Sequence, residues 1–170
     1  MVYKYKCSCC GKEFEEIPLC FGFNYPDYYF GIPPEEREQR VSEEDSLMVI
    51  DDEHFFHRCR LIIPINDYEE DLVINVWLSI SEENFEKRQS LWNDPNRINE
   101  KPYFGWFQSL IPTYGDTISI KAIAVEQVPD SIPQAEIIEE GHQLQIDQQD
   151  GISFDKALIF VDEFMKSIKH

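Results

Sequence analysis

The sequence predicts an α+β fold in a single domain: a mostly antiparallel sheet with a few helices, the last of them amphipathic and C-terminal. Three observations carry this expectation. Strand-like segments gather in the middle of the chain, helical patterns fall at intervals rather than alternating strictly with strands, and residues 153–169 repeat apolar side chains at helical spacing. With 170 residues the chain has the length of one domain and can bury a core without disulfides. Twelve Phe, eight Tyr and three Trp supply large apolar surfaces and argue against wholesale disorder.

In order, residues 1–20 hold a cysteine knuckle, Cys7-Ser8-Cys9-Cys10-Gly11. Residues 21–45 begin as an aromatic and Pro-rich wrap (Phe21, Phe23, Tyr25, Tyr28, Tyr29, Phe30), expected to be ordered but irregular. Pro34 then suits the first turn of a short acidic helix carrying Glu35, Glu36 and Glu38. Residues 46–139 form the sheet region. Ser46–Ile50 and His54–Ile63 read as a hairpin around Asp51-Asp52-Glu53, and Leu72–Ile80 alternates so that both faces are largely apolar, as a central strand requires. Ser81 caps a helix with Phe85, Gln89 and Trp92 on one side, stopped at Asn93-Asp94-Pro95. Tyr103–Gln108, Ile118–Glu126 and Ala135–Glu139 extend the sheet between turn signals at Pro112–Asp116 and Pro129-Asp130. Ser153 caps the final helix, whose stripe is Ala157, Leu158, Val161, Phe164, Met165 and Ile168, with Lys166 and Lys169 in its last turn.

Thirty-three acids against fifteen bases give a net charge of −18 with no basic run, a field that repels nucleic acid and anionic membranes. Charge is densest from Glu35 to Glu53, a solubilising face or a lure for a partner with a basic surface. No stretch approaches a membrane span and no secretory signal precedes the knuckle, so a cytoplasmic setting with reduced thiols is expected for the five cysteines.

Cys7 and Cys10 with Gly11 form half of a zinc site: C-x-x-C-G spacing lets two thiolates meet one Zn2+. Closed coordination needs two more ligands, and Cys20 is the nearest further thiol, with Cys9, Cys59, His54 and His57 as other donors. A thioredoxin-like use would need a helix N-terminus in a βαβ unit, which the N-terminal segment does not offer. His57 and Cys59 share a strand face with Phe55, Leu61 and Ile63, company that favours a core cysteine over a nucleophile. Arg58 and Arg60 lie on the opposite face with His54 and could receive an anion or an acidic partner group, or pair with the abundant acids. No Ser-His-Asp order, phosphate-binding glycine loop or H-E-x-x-H is present.

Eight segments in one order resemble a bacterial family, domain of unknown function 2199. They are Cys7-Ser8-Cys9-Cys10-Gly11-Lys12, Tyr25–Phe30, Pro34–Arg37, Val49–Phe56 with Arg58 beyond, Pro102–Trp106, Tyr114–Thr117, His142-Gln143-Leu144 and Asp150–Ser153. The resemblance spans nearly the whole chain and implies one domain and a bacterial setting, with no activity to carry over. The family often has His where Phe14 stands and Pro where Gln143 stands, and the first departure weakens a metal site that would use that His. Because the family shows His at the position of His142, that loop residue is the leading single site candidate, as metal ligand or general base. The functional expectation is a non-enzymatic binding or regulatory module, for example an inhibitor of a basic partner. The alternative is a zinc-binding protein or metal-dependent enzyme built on Cys7, Cys10, Cys20 and His142.

Overall fold

The computed structural model describes residues 4–7, 10–44 and 46–167. Ser8 and Cys9 of the knuckle, Asp45 of the acidic block, and Ile168 and Lys169 of the expected last turn lie outside the described residues.

The knuckle joins β1 (Tyr5–Lys6) to β2 (Glu13–Phe14), paired antiparallel with Tyr5 opposite Phe14. Gly11, at φ 73°, donates to the Cys7 carbonyl and so closes the turn. Next comes β3 (Cys20–Gly22), and the aromatic wrap follows as a 3-10 turn over Asp27–Gly31. Pro34 opens a second 3-10 turn, Pro34–Glu36, which runs into the single helical turn α1 (Arg37–Arg40). The acidic residues that follow form a strand absent from the sequence reading, β4 (Val41–Glu44), paired with β5 (Leu47–Ile50). Its exposed Glu side chains hide the strand from any hydrophobic pattern, and its place at the end of the sheet accounts for them. Asp51 and Asp52, both at positive φ, turn the chain into β6 (His54–Ile63), and Arg40 grips the Asp51 carboxylate with two hydrogen bonds of 2.7 Å.

The expected central strand is β7 (Leu72–Ile80), paired with β6 along its whole length. Ser81 accepts from the Asn84 amide and starts α2 (Glu82–Ser90) as its sequence pattern predicts. β8 (Tyr103–Phe107), β9 (Lys121–Val125) and β10 (Gln134–Ile137) then run antiparallel to their neighbours, until β10 turns back onto β6 in parallel. The ring β6-β7-β8-β9-β10 is thereby closed. The sequence does not announce this closure, but it explains the small residues on the inner face: Ala122, Ala124 and Ala135 are fully buried where a five-stranded ring leaves little room. Gly105 of β8 is closely packed. A Cβ there would stand 3.0 Å from the Leu78 Cβ and 3.1 Å from the Ser79 carbonyl oxygen. Gly105→Val is expected to destabilise the protein by about 1–3 kcal/mol by overpacking, measured by urea unfolding.

Two helices complete the α+β architecture. α3 (Gln143–Asp150) occupies what the sequence suggested was a loop, because its glutamine-rich composition carries no apolar stripe. α4 (Phe154–Ser167) is the expected amphipathic helix: Ala157, Phe160, Val161 and Phe164 are buried, and Phe164 packs 4.3 Å, centroid to centroid, from Phe21 of β3. Buried Asp147 ties the two helices together, accepting from Lys156 and, at 2.7 Å, from Tyr114 and Gln143. Burial pushes its carboxyl upward, but the hydrogen bonds from Lys156, Tyr114 and Gln143 outweigh it and hold the group below the usual carboxylate range.

Candidate functional site: an acid-edged aromatic groove and a polar barrel interior

The residues singled out by the sequence occupy separate places. Cys7 is buried under the knuckle, Cys10 is exposed on it, and Cys20 is exposed on β3. His142 caps α3: its Nδ1 accepts from the Leu144 amide at 3.1 Å, and its Nε2 lies 3.0 Å from the Asp116 carbonyl, to which it donates. Both ring nitrogens are thus engaged with backbone. Among the described residues no group of three or more His, Cys, Asp or Glu side chains is gathered to hold a metal ion. Phe14 packs 5.9 Å from Tyr5. Arg58 lies 5.1 Å over the Trp77 ring and donates to the Phe23 carbonyl, while Arg60 lines a cleft with Gln134, Glu136 and Gln149. The two arginines share a strand face but different surroundings.

The barrel interior brings His57 and Cys59 together, as their spacing on β6 predicts, and adds residues that the sequence reading missed. Cys59 Sγ is 3.5 Å from His57 Nε2, His57 Nδ1 is 3.4 Å from the Tyr103 hydroxyl, and Tyr103 donates to Glu126 Oε1 at 2.9 Å. Glu126 also receives Arg88 Nη1 at 2.5 Å, and its second oxygen faces Arg97 Nε at 3.0 Å. The latter contact is an ion pair lying off the line of the N–H. One assignment of protons satisfies the chain: Cys59 S–H to His57, His57 Nδ1–H to Tyr103, Tyr103 O–H to Glu126.

Electrostatics fit that assignment. Burial, assisted by the Arg88 charge, holds His57 well below its ordinary range, so the ring is neutral. Burial raises the Cys59 thiol to about 12, and burial likewise raises the Tyr103 phenol. A thiol this reluctant to ionise beside a neutral imidazole is a core group, not an activated nucleophile. Arg88 and Glu126 were nonetheless marked in the sequence. Arg88 follows Phe85 by three on the buried side of α2, and Glu126 continues the inward phase of Ala122 and Ala124. A charge in a core phase calls for a buried partner.

The outer surface carries a different feature. Where the wrap, the segment after β8 and α4 meet, a groove of about 700 Å³ is walled by Phe23, Tyr25, Phe30, Leu110, Pro112 and Phe164. Tyr25 stacks on Tyr29 at 3.9 Å, which fixes the wall, while Phe30 and Leu110 are 61% and 53% exposed. Among the described residues lining it, the charged ones are Asp27 and Glu163, both acidic. Beyond Gln108 a shallower hollow continues past Tyr28, His54 and Trp106, and Phe104 meets Trp106 edge-on at 4.8 Å.

The fold and these surfaces define an α+β protein with a closed five-stranded ring, a polar interior cluster and an acid-edged aromatic groove. The chain belongs to a family of uncharacterised proteins conserved in bacteria, domain of unknown function 2199, whose model matches residues 6–152. No curated protein and no solved structure matches the chain. No helix among the described residues is long and apolar enough to cross a membrane.

Proposed function

We propose that the protein is a binding module that receives a basic, apolar segment of another protein in the aromatic groove. The observation that carries this reading is the groove itself: exposed Phe30 and Leu110 over stacked aromatic walls, with Asp27 and Glu163 as its charges, on a chain of net charge −18. Aromatic walls supply contact area at little entropic cost, and the acids steer and orient a cationic partner. The interior cluster supports a non-catalytic reading, since its His, Cys and Tyr are held in neutral forms.

The test places a photo-crosslinking amino acid at Phe30 in the native cell, with Ile98, 51% exposed on another segment, as control. A discrete adduct with a basic protein from position 30, absent from position 98 and lost in Asp27→Lys/Glu163→Lys, is the expected result. An adduct only with a second copy of this chain, adducts of equal yield at both positions, or none at all overturns the proposal.

A second reading keeps zinc at the knuckle, favoured by the turn closed from Gly11 to the Cys7 carbonyl, which contains both Cys7 and Cys10. Stoichiometric zinc in protein purified without chelator, lost in Cys10→Ser, supports it. A trace amount that the variant does not change removes it.

A further inference from the structure

The hollow beyond the aromatic groove bears on the shape of segment that the two can hold together. Phe56, Ser79 and Trp106 stand directly opposite one another on β6, β7 and β8, so their side chains leave the same outer face of the sheet. Tyr28 lies over Phe56 at 6.1 Å and rests against His54 at 4.6 Å, while Phe104 props Trp106 edge-on. A trough results, with Tyr28 as one wall, Trp106 as the other and Ser79 on its floor. Both walls are open to solvent, at 40% and 43% exposure. Gln108 lines both the trough and the groove, and its carbonyl accepts from the Asp27 amide, so the two depressions meet beside Asp27.

Resting on the reading of the groove as a docking site for a basic segment, we infer that the segment is proline-rich and docks as a polyproline II helix. A prolyl ring sits between Tyr28 and Trp106, and a Lys or Arg of the segment meets Asp27. The width of the trough suits an extended chain. Its walls are rooted on strands two spacings apart, about 10 Å, whereas an α-helix with its side chains is about 10–12 Å across and too wide to enter. An added β-strand would find no ladder there, because at Ser79 β7 is already paired with β6 on one side and β8 on the other. A polyproline II helix makes no internal hydrogen bonds, so its carbonyls look to donors on the site. Among the described residues, the Trp106 indole N–H and the Tyr28 hydroxyl have no partner within the chain, and Ser79 and Gln108 lie alongside them. Prolines stack well on aromatic walls, and a segment already in this conformation loses little entropy on docking. Asp27 and Glu163 select a basic flank.

Two fluorescently labelled peptides of about ten residues, long enough at about 3.1 Å per residue to run from the trough into the groove, test this by anisotropy against the full chain. In one, prolines lie between terminal arginines; in the other, alanine and leucine replace the prolines while charge and length are kept. The expected result is saturable binding of the proline peptide, at least about tenfold tighter than that of its counterpart, and weakened about tenfold by Trp106→Ala or by Tyr28→Ala. Both side chains are exposed, so neither change opens the core, and Ile98→Ala should leave binding unchanged. Equal binding of the two peptides, no saturation by about 1 mM, or binding indifferent to Trp106→Ala overturns the inference. Tighter binding of the alanine and leucine peptide, lost in Asp27→Lys/Glu163→Lys, also overturns it, yet leaves the groove standing as a docking site for a basic segment of another shape.

Discussion

Glu126→Gln is expected to lower the stability of the protein by about 3–5 kcal/mol, the cost of stranding a buried charge by removing its partner. The side chain is 5% exposed and stands between two guanidinium groups and a phenol, so its charge offsets Arg88 and Arg97 together. Glutamine keeps the shape and loses the charge. In a chain of this length such a loss lowers the melting temperature by about 10 °C, readable by calorimetry. Glu100→Gln, which removes the half-buried partner of exposed Lys87, is the control and should change stability by less than about 0.5 kcal/mol. An equally small effect at Glu126 would mean that the cluster is not the electrostatic centre of the barrel.

The second large effect is a loss of stability in mild acid, set by His57. The ring is buried and neutral in the folded protein, with its own range depressed by burial and by Arg88. The unfolded chain can take a proton at this residue below about pH 6.5, and the folded chain resists it. Protons therefore favour unfolding, and stability falls as pH drops below that value, by about 1.4 kcal/mol per unit for this one residue. Above it the contribution is flat. Asp147 acts in a different window: its depressed carboxyl stabilises the fold above about pH 4, and that contribution is lost only as pH falls further. His57→Phe, which preserves a ring against Tyr103, should flatten the curve between about pH 6.5 and 4.5 in urea titrations. If the variant and the unaltered chain lose stability in parallel over that range, His57 is not the group responsible.

Alternation made β7 legible, turn signals bounded β6 and β8, and a serine cap with helical spacing made α2 and α4 legible, because each rule is local. The parallel closure of β10 onto β6 was not, since it joins residues about seventy positions apart and leaves only small side chains as its trace. α3 was hidden for a related reason: its cap is the imidazole of His142, an unusual capping group, and its residues carry no apolar stripe. The same fact redirects the reading of His142, which holds a helix start against the Asp116 carbonyl. The buried pair of Arg88 and Glu126 was missed: the sequence reading put Phe85, Gln89 and Trp92 together on one side of α2, whereas Gln89 is exposed and Arg88 buried, and no sequence rule says which distant charge meets which. The groove was foreshadowed only as an aromatic wrap. That Phe30 and Leu110 would stand exposed on its rim depends on the contacts between three separate segments.

The most direct measurement of the central proposal is a calorimetric titration of the protein crosslinked through Phe30, purified on its own, into the unaltered chain at low and moderate salt. Docking in the groove predicts binding that weakens as salt rises and is lost in Phe30→Ala and in Asp27→Lys/Glu163→Lys, while Ile98→Ala leaves it unchanged. An affinity indifferent to salt and to all the groove substitutions would contradict it.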